Sequence, residues 1–197
     1  MRIITGIYKG RHFDIPRSFK ARPTTDFAKE NIFNVLTHYT DFEGATALDL
    51  FSGTGSITLE LLSRGCRQVV SVELDRDHHR FICDCLKKLP SGSQHTLPLR
   101  ADVFRFLKTC KQRFDIIFAD PPYALQELPQ IPDMVLEKGL LNDGGIFVFE
   151  HGKNHDFSHH PCFAEHRAYG SVNFSLFRAA AKADGPATPT TSEENGD

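Results

Sequence analysis

The feature that most constrains the fold is an alternation, beginning at Ala45, of short apolar runs rich in β-branched residues with helical stretches. This order is typical of a parallel sheet, because each helix carries the chain back to the start of the next strand. The runs predict five strands, near residues 46–51, 69–73, 96–100, 114–119 and 145–150. Helices are predicted between them, near residues 56–64, 77–88, 102–110 and 127–138. The sequence therefore predicts an α/β fold.

The C-terminal part is predicted to extend this sheet by two antiparallel strands. Residues 163–169 and 172–178 alternate in polarity around Gly170-Ser171, a pattern that indicates a hairpin. Residues 179–197 are small, polar and proline-containing, a composition that predicts a disordered tail.

The first 40 residues are predicted to form an N-terminal extension. Residues 2–5 and 11–15 flank two glycines and indicate a β-hairpin or an extended arm. After Pro23, either Thr24 or Thr25 can cap a helix. One face of that helix is apolar and carries Ala28, Ile32, Val35 and Leu36. The chain is thus divided into an arm and helix, residues 1–40, a main domain, residues 41–178, and the tail.

The extension is also the most basic part of the chain. The 197 residues carry 23 Lys and Arg against 25 Asp and Glu, for a net charge of −2. Residues 1–38 hold seven of the basic residues and only three acidic ones. On charge alone, the segment is equally well explained as a solvated face of the protein and as a patch that contacts phosphates.

Cysteine usage and hydropathy exclude several classes of protein. The cysteine count is odd, at five, and no C-x-x-C pair occurs. The start Met1-Arg2-Ile3-Ile4 does not resemble a signal peptide, so a reducing cytoplasm is expected. Cys66, Cys83 and Cys85 are expected to pack on helices, and the ten histidines show no metal-binding pattern. No apolar run approaches the roughly 18 residues of a membrane helix.

A glycine-rich turn follows the first predicted strand. In Asp49-Leu50-Phe51-Ser52-Gly53-Thr54-Gly55, the glycines permit positive φ and close approach of a ligand to the start of a helix. Thr58 stands where the dinucleotide-binding fingerprint G-x-G-x-x-G has its third glycine. This departure weakens the interpretation of the turn as a dinucleotide-binding site. A turn without any ligand remains an alternative on this motif alone.

Acidic residues follow the second and third predicted strands. Glu73 comes about 20 residues after the glycine-rich turn, where a carboxylate can accept hydrogen bonds from both hydroxyls of a ribose. Asp102 could accept from the amino group of an adenine while Val103 packs on the ring, although an N-cap role explains Asp102 equally well. Together with the turn, these acids predict an adenosine-containing cofactor.

The most specific segment is Asp120-Pro121-Pro122-Tyr123, directly after the fourth predicted strand. The strand delivers Asp120 to the carboxyl edge of the sheet, where open α/β folds bind ligands, and the prolines fix the chain behind it. The carboxylate and a neighbouring proline carbonyl can accept both N–H bonds of an exocyclic amine while Tyr123 stacks on the base. The segment predicts a site for a nucleobase amine.

The glycine-rich turn combined with Asp-Pro-Pro-Tyr resembles the S-adenosylmethionine-dependent methyltransferases that modify exocyclic amines. Met-Arg-Ile-Ile-Thr-Gly at residues 1–6, Lys-Gly-Arg at 9–11, Arg-Pro-Thr-Thr-Asp at 22–26 and Asn-Ile-Phe-Asn at 31–34 further resemble the RsmD family. That family consists of bacterial small-subunit rRNA guanine-N2 methyltransferases, and the resemblance covers about residues 1–178. It implies a Rossmann-like fold with a mostly parallel seven-stranded sheet, an antiparallel C-terminal hairpin strand and an N-terminal hairpin and helix.

The resemblance also implies a role for each motif residue. S-adenosylmethionine would be the cofactor, held by Asp49, Phe51, Gly53, Gly55, Glu73, Leu74, Asp102 and Val103. The catalytic motif that holds the guanine would be Asp120, Pro121, Pro122 and Tyr123. Contacts to RNA would come from Arg11, Arg22, Thr24 and Thr25. No metal is implied.

The expected substrate is a guanine of 16S rRNA. The near-neutral total charge favours an assembled or partly assembled small subunit over naked RNA, and a monomeric enzyme. Adenine-N6 methylation of DNA is an alternative, although it usually needs a separate recognition domain for which this chain has no room. A non-catalytic RNA-binding assembly factor is a second alternative. A nicotinamide oxidoreductase is disfavoured by Thr58 and leaves Asp-Pro-Pro-Tyr unexplained.

Overall fold

The computed structural model describes residues 1–19, 25–90 and 95–179, in which one seven-stranded sheet forms the centre of the fold. Its strands are β1 Thr46–Leu50, β2 Gln68–Glu73, β3 His95–Arg100, β4 Phe114–Ala119, β5 Leu141–His151, β6 Phe163–Tyr169 and β7 Val172–Arg178. They are ordered β3-β2-β1-β4-β5-β7-β6. Strands β1 to β5 are parallel, β7 is antiparallel to β5, and β6 is antiparallel to β7. The predicted fold class is confirmed.

Helices cover both faces of the sheet. They are α1 Asp26–Leu36, α2 Ser56–Ser63, α3 Arg76–Lys87, α4 Val103–Thr109 and α5 Ile131–Glu137. Thr25 caps α1 by accepting from the backbone N–H of Ala28 at 3.2 Å, which decides between the two threonines. Asp75 caps α3 in the same way. Each cap supplies an acceptor for a backbone donor that the first helical turn leaves unpaired.

Many predicted boundaries differ from the structure by one residue, and two differ by more. β5 begins at Leu141, earlier than predicted, because Leu141 pairs with Phe114 ahead of a bulge. The helix predicted at 127–138 is a turn of 3-10 helix, Leu128–Gln130, followed by α5, since two prolines in this stretch lack the backbone donor that a continuous helix needs. The helix predicted from residue 102 begins one residue later.

The N-terminal arm folds back on itself as a short, irregular hairpin. Arg2 and His12 form an antiparallel bridge, and the backbone N–H groups of Ile3 and Phe13 donate to the carbonyls of Arg11 and Met1 at 3.0 and 2.9 Å. The arm is also attached to α2. The backbone N–H groups of Ile4 and Thr5 donate to the carboxylate of Glu60, at 2.8 and 3.0 Å, and that of Tyr8 donates to Ser63 Oγ at 3.0 Å.

Apolar side chains fill both faces of the sheet. On one face, the arm, α1, α2 and α3 pack on the strands, and the rings of Phe33 and Phe118 stack with centroids 6.5 Å apart. On the other face, α4 and α5 pack on the strands through residues such as Leu107, Val135 and Phe147. The arm and α1 therefore share a core with the sheet.

Two further sequence expectations concern cysteines and membranes. Cys66 and Cys85 are buried, and this burial raises the pKa of their thiols to about 12 and about 11. Cys83 is only partly buried. In the part of the chain that the structure describes, no helix has both the length and the apolar character to cross a membrane.

Candidate functional site

The sheet has a topological switch point between β1 and β4. The chain leaves these neighbouring strands toward opposite sides of the sheet, so their carboxyl ends border a crevice, which is where open α/β sheets bind ligands. The backbone N–H of Asp120 donates to the carbonyl of Leu50 at 3.3 Å. The structure thus brings the glycine-rich turn and the Asp-Pro-Pro-Tyr segment together.

The glycine-rich turn is tied to the end of the neighbouring strand. The backbone N–H of Gly53 donates to Glu73 Oε2 at 2.7 Å. Gly53 and Gly55 have φ angles of 53° and 76°. A Cβ atom added to Gly53 would have only the carbonyl of Phe51 nearby, at 3.9 Å, so the outer surface of the turn is open to a ligand.

Phe51 is strained within this turn. Among the described residues, it is the one non-glycine residue with positive φ, at 59°. The left-handed conformation costs an L-residue about 1–2 kcal/mol, and such strain concentrates at functional sites. The Phe51 ring packs edge-on against Phe104 with centroids 6.2 Å apart. Local sequence carries no signal for this conformation, because glycine or asparagine normally adopts it.

We expect Gly55→Ala to destabilise the fold more than Gly139→Ala. Both glycines have positive φ, 76° and 67°, so each alanine is strained. A Cβ at Gly139 would meet nothing within 4 Å, whereas one at Gly55 would lie 2.9 Å from Ile82 Cγ1. Overpacking of this kind costs about 1–3 kcal/mol. Urea denaturation of the two variants measures the difference, and equal losses would contradict the tight contact with Ile82.

Asp49 is buried at the centre of the site. Its side chain is 1% exposed, and its Oδ2 accepts from both the backbone N–H and the hydroxyl of Thr58. Burial, and secondarily the charge of Glu73, raises the pKa of Asp49 to about 7, although the bonds from Thr58 oppose the shift. Sequence reasoning missed this role of Thr58, which was noted only as a departure from the dinucleotide fingerprint.

Glu73 and Leu74 provide polar and apolar surface beside the turn. Glu73 is partly exposed, and its Oε1 accepts from the backbone N–H of Asp75 at 2.8 Å. The side chain of Leu74 is 60% exposed, which is unusual for a large apolar residue. Together they offer a carboxylate for hydroxyl groups and an apolar surface for a flat ring.

Asp102 is the N-cap of α4, the alternative that sequence reasoning weighed against ligand binding. Its Oδ1 accepts from the backbone N–H of Arg105 at 2.9 Å. Asp102 remains partly exposed at the carboxyl edge. Val103 is only 4% exposed and packs in the core, so its side chain has little surface left for a ligand ring. The predicted contact of Val103 with an adenine stays a prediction.

The Asp-Pro-Pro-Tyr segment has one carbonyl available beside Asp120. The carbonyl of Pro122 closes a turn by accepting from the backbone N–H of Leu125 at 2.9 Å. Among residues 1–19, 25–90 and 95–179, no hydrogen bond uses the carbonyl of Pro121. Pro121 is buried and Tyr123 is 48% exposed. Asp120 and Pro121 therefore form the pair of acceptors, next to an accessible aromatic ring.

Glu150 belongs to this site and was missed in the sequence. It lies in β5, is 5% exposed, and its Oε1 accepts from the Tyr123 hydroxyl at 3.0 Å. Burial and the charge of Glu150 raise the pKa of Tyr123. The sequence does carry a signal for this role, because Glu150 directly follows the apolar residues 146–149. A carboxylate that is buried at the end of such a strand needs a partner or a ligand.

Acidic side chains crowd the carboxyl edge of β1, β4 and β5. Burial raises the pKa of Asp120 well above its usual range, and the charges of Glu150 and Asp49 raise it further. A positive charge placed among these groups would favour their ionised forms. The arrangement therefore suits a cationic ligand that lies beside the Asp120 and Pro121 acceptors.

Two of the residues predicted to contact RNA are described by the structure, whereas Arg22 and Thr24 lie outside the described residues. Arg11 donates to the carbonyl of Lys88, at the end of α3, at 3.1 Å. Because α3 starts at the carboxyl edge and runs back, Arg11 lies at the amino edge. The structure does not bring it together with Asp120.

Thr25 and Phe19, the described residues on either side of the segment 20–24, both lie at the carboxyl edge of the sheet. Lys29, in the first turns of α1, donates to the hydroxyl of Ser56 at the start of α2, so α1 begins at this edge. The ring of Phe19 lies edge-on to His78 in the first turn of α3, with centroids 4.3 Å apart. Both described flanks of the segment 20–24 are therefore on the side of the sheet that holds the site.

Comparisons with known proteins agree with this geometry. A family model described as Conserved hypothetical protein 95 matches residues 1–178. The putative rRNA methyltransferase YlbH of Bacillus subtilis is 36% identical over 156 residues, 78% of this chain and 83% of that protein. The ribosomal RNA small subunit methyltransferase D of Haemophilus influenzae is 31% identical over 156 residues, 78% of this chain and 80% of that protein. A solved structure, putative methyltransferase yhhF from Escherichia coli, has a TM-score of 0.77 at 27% identity and covers 91% of this chain and 98% of its own.

Proposed function

Because the chain belongs to the RsmD family, whose model is described as Conserved hypothetical protein 95, we propose that it transfers a methyl group from S-adenosylmethionine to the N2 amine of a guanine in 16S rRNA. The observation that carries this proposal is the position of Asp120, the Pro121 carbonyl and Tyr123 beside the glycine-rich turn. Two acceptors and a ring are what recognition of a nucleobase amine requires.

S-adenosylmethionine fits the residues at the carboxyl edge. Its sulfonium and ammonium groups are cationic, and Asp49 and Asp120 are carboxyl groups whose pKa values are raised by burial. The charge of Glu73 raises the pKa of Asp49 further, and the charges of Glu150 and Asp49 raise that of Asp120 further. Glu73 would accept from the ribose hydroxyls, and Leu74 offers the adenine an apolar surface. The bound cofactor supplies a methyl group on a positively charged sulfur.

The chain's own part in the reaction is to orient and polarise the amine. The lone pair of guanine N2 is delocalised into the ring, so the amine is a poor nucleophile. When Asp120 and the Pro121 carbonyl accept its two N–H bonds, they hold the nitrogen in line with the methyl group and stabilise the positive charge that develops on it. The Tyr123 ring, fixed through its hydroxyl by Glu150, stacks on the base. Asp120 is the nearest acceptor for the proton released after direct transfer.

We expect Glu73→Gln to weaken binding of S-adenosylmethionine by about tenfold or more, the equivalent of one hydrogen bond to a charged group. The variant keeps the size of the side chain but removes the charge that holds Gly53 and faces the ribose. Glu137→Gln, at the exposed end of α5, is the matched control and should bind like the wild type. Isothermal titration calorimetry measures both dissociation constants. Equal affinities in the two variants would remove Glu73 from the cofactor site.

The proposal extends to the form of the substrate and the setting of the reaction. A net charge of −2 gives little general attraction to naked RNA. The proposed acceptor is therefore rRNA in an assembled or partly assembled small subunit. The proposal also takes the enzyme to be a monomer that acts in the cytoplasm. Analytical ultracentrifugation with and without subunits tests this stoichiometry.

The proposed function is tested by transfer of a radiolabelled methyl group. Small subunits that lack guanine-N2 methylation, naked 16S rRNA and adenine-containing DNA are each incubated with the protein and labelled S-adenosylmethionine. The expected result is label in rRNA, most strongly in the subunits. Label in DNA alone would indicate an adenine-N6 methyltransferase, and binding to subunits without label would indicate a non-catalytic assembly factor. Either result would overturn the proposal.

A further inference from the structure

A second concave site lies beside Tyr123 and has no part in the reaction described above. It is a cleft of about 330 Å³ between the segment 153–158 and strands β6 and β7. The residues of this cleft that matter here are Lys153, His155, Phe157, His166, Asn173 and Ser175. Its size is at the lower end of the range for ligand pockets, about 300–1,000 Å³, and suits one nucleotide better than a helix.

The cleft adjoins the ring on which the guanine would stack. A Cβ atom added to Gly152 would lie 3.6 Å from Tyr123 Cδ2 and 2.7 Å from Asn154 Oδ1. The backbone at Gly152 is therefore in contact range of both side chains, and Lys153 and His155 flank Asn154 in the chain. A strand of nucleic acid that places one base on Tyr123 would bring its neighbour to this cleft.

The floor of the cleft consists of buried polar side chains that hydrogen-bond to one another and hold it in place. His151 Nδ1 lies 2.9 Å from the carbonyl of Gly152, which can only accept, so this nitrogen carries the proton. Burial lowers the pKa of His151 and favours its neutral form, in which Nε2 is an acceptor. Ser175, which is only 1% exposed, therefore donates its hydroxyl proton to His151 Nε2, 2.8 Å away. Beside it, His166 Nε2 lies 3.2 Å from Asn173 Oδ1.

The wall and rim of the cleft offer aromatic surface and positive charge. The rings of His155 and Phe157 lie nearly parallel, with centroids 6.1 Å apart and an interplanar angle of 23°, and both are partly exposed. Lys153 is exposed at the rim. Asp156 is the acidic residue in the lining, and its carboxylate already accepts from the backbone N–H of Ser158 at 2.9 Å. Within the described ranges, no three His, Cys, Asp or Glu side chains are arranged to hold a metal ion.

We propose that this cleft binds the RNA nucleotide adjacent to the methylated guanine. Its base stacks on the rings of His155 and Phe157, and its phosphate pairs with Lys153. This inference rests on the proposed function, since it extends the guanine site to the next nucleotide. It also assigns to RNA recognition residues that lie in the segment between β5 and β6, outside the basic N-terminal arm.

The test compares His155→Ala and Lys153→Ala with His159→Ala. His159 is exposed in the same segment and does not line the cleft, so it is the matched control. Loss of one base–aromatic stack corresponds to roughly 5- to 150-fold, so we expect at least a fivefold rise in the KM for small subunits in His155→Ala. For binding to an rRNA fragment, Lys153→Ala should reduce the slope of the logarithm of the binding constant against the logarithm of the salt concentration by about one. Affinity for S-adenosylmethionine should not change in any variant.

Binding to the rRNA fragment without cofactor separates this inference from the proposed function. If the wild type transfers no methyl group, the proposed function fails, whereas the cleft is still judged by fragment binding. If His155→Ala and Lys153→Ala bind the fragment as His159→Ala does, the cleft does not hold a nucleotide. His155→Phe keeps the ring and should restore binding, which a general loss of folding would not allow.

Discussion

Asp120→Ala is expected to lower kcat for methyl transfer by about 10²–10⁴-fold, the range for removal of a group that stabilises charge or accepts a proton in the transition state. Asp120 supplies one of the two acceptors for the amine and is the nearest acceptor for its proton. The Pro121 carbonyl alone leaves the nitrogen free to rotate away from the methyl group. Asp120→Asn keeps one acceptor, because the amide oxygen can still accept from the amine, but it loses the charge and the acceptor for the released proton. Its kcat should therefore lie between those of the wild type and Asp120→Ala.

Asp120→Asn should not destabilise the protein. Burial and the charges of Glu150 and Asp49 raise the pKa of Asp120, so its ionised form is disfavoured in the folded state. A carboxyl group whose pKa is higher in the folded state lowers the free energy of unfolding as the pH rises above its unfolded pKa, about 3.9 for Asp. This loss grows until the pH reaches the folded pKa. At neutral pH, Asp120→Asn therefore removes an unfavourable charge and should raise the free energy of unfolding.

Stopped-time assays of methyl transfer and urea denaturation measure the two effects separately. Glu127→Gln is the matched control, since Glu127 is exposed in the loop that follows the motif. A kcat for Asp120→Ala within threefold of the control would contradict the role of Asp120. Lower stability of Asp120→Asn at neutral pH would contradict the account of the crowded carboxyl groups.

Glu60→Ala is expected to cost about 3–5 kcal/mol of the free energy of unfolding, as removal of one partner from a buried ion pair does. Glu60 is fully buried and accepts from the backbone N–H groups of Ile4 and Thr5 and from Arg64 Nε at 2.9 Å. Lys29, also buried, holds its ammonium group 3.8 Å from Glu60 Oε2. Burial lowers the pKa of Lys29, whereas the charge of Glu60 raises it. The variant leaves two cations, Lys29 and Arg64, without the carboxylate that balances their charge, and two backbone donors without their acceptor.

This loss is large because Glu60 joins three separate elements, the arm, α1 and α2. A typical domain has only about 5–15 kcal/mol of stability in total. Glu30→Ala, exposed on α1, is the control and should change stability by less than about 0.5 kcal/mol. Hydrogen exchange should show loss of protection at Ile4 and Thr5 in Glu60→Ala. A loss below about 1 kcal/mol with these amides still protected would contradict the linkage.

The sheet and the main site were predictable because their signals are local and share one geometric rule. Apolar runs and the helical stretches between them indicated the parallel strands. Parallel strands end at the same edge, so residues just after each run, such as Gly53, Glu73 and Asp120, had to meet there. The sequence could also indicate Thr25 and Asp102 as caps, because a cap depends on neighbouring residues alone.

The remaining features depend on contacts between distant parts of the chain. Glu150 reaches Tyr123 because β5 lies beside β4, an arrangement that no short segment of sequence encodes. Thr58 holds Asp49 across nine residues, and Glu73 holds Gly53, two residues after the strained Phe51, across twenty. The charge pattern of the arm likewise did not reveal that Arg11 would lie at the amino edge.

The most direct test of the central claim is identification of the methylated nucleoside. Unmethylated small subunits are incubated with S-adenosylmethionine that carries a deuterated methyl group, and the rRNA is digested and examined by mass spectrometry. The account predicts deuterated N2-methylguanosine with the wild-type protein and none with Asp120→Ala. Deuterium in any other nucleoside, or in N2-methylguanosine made equally well by Asp120→Ala, would contradict it.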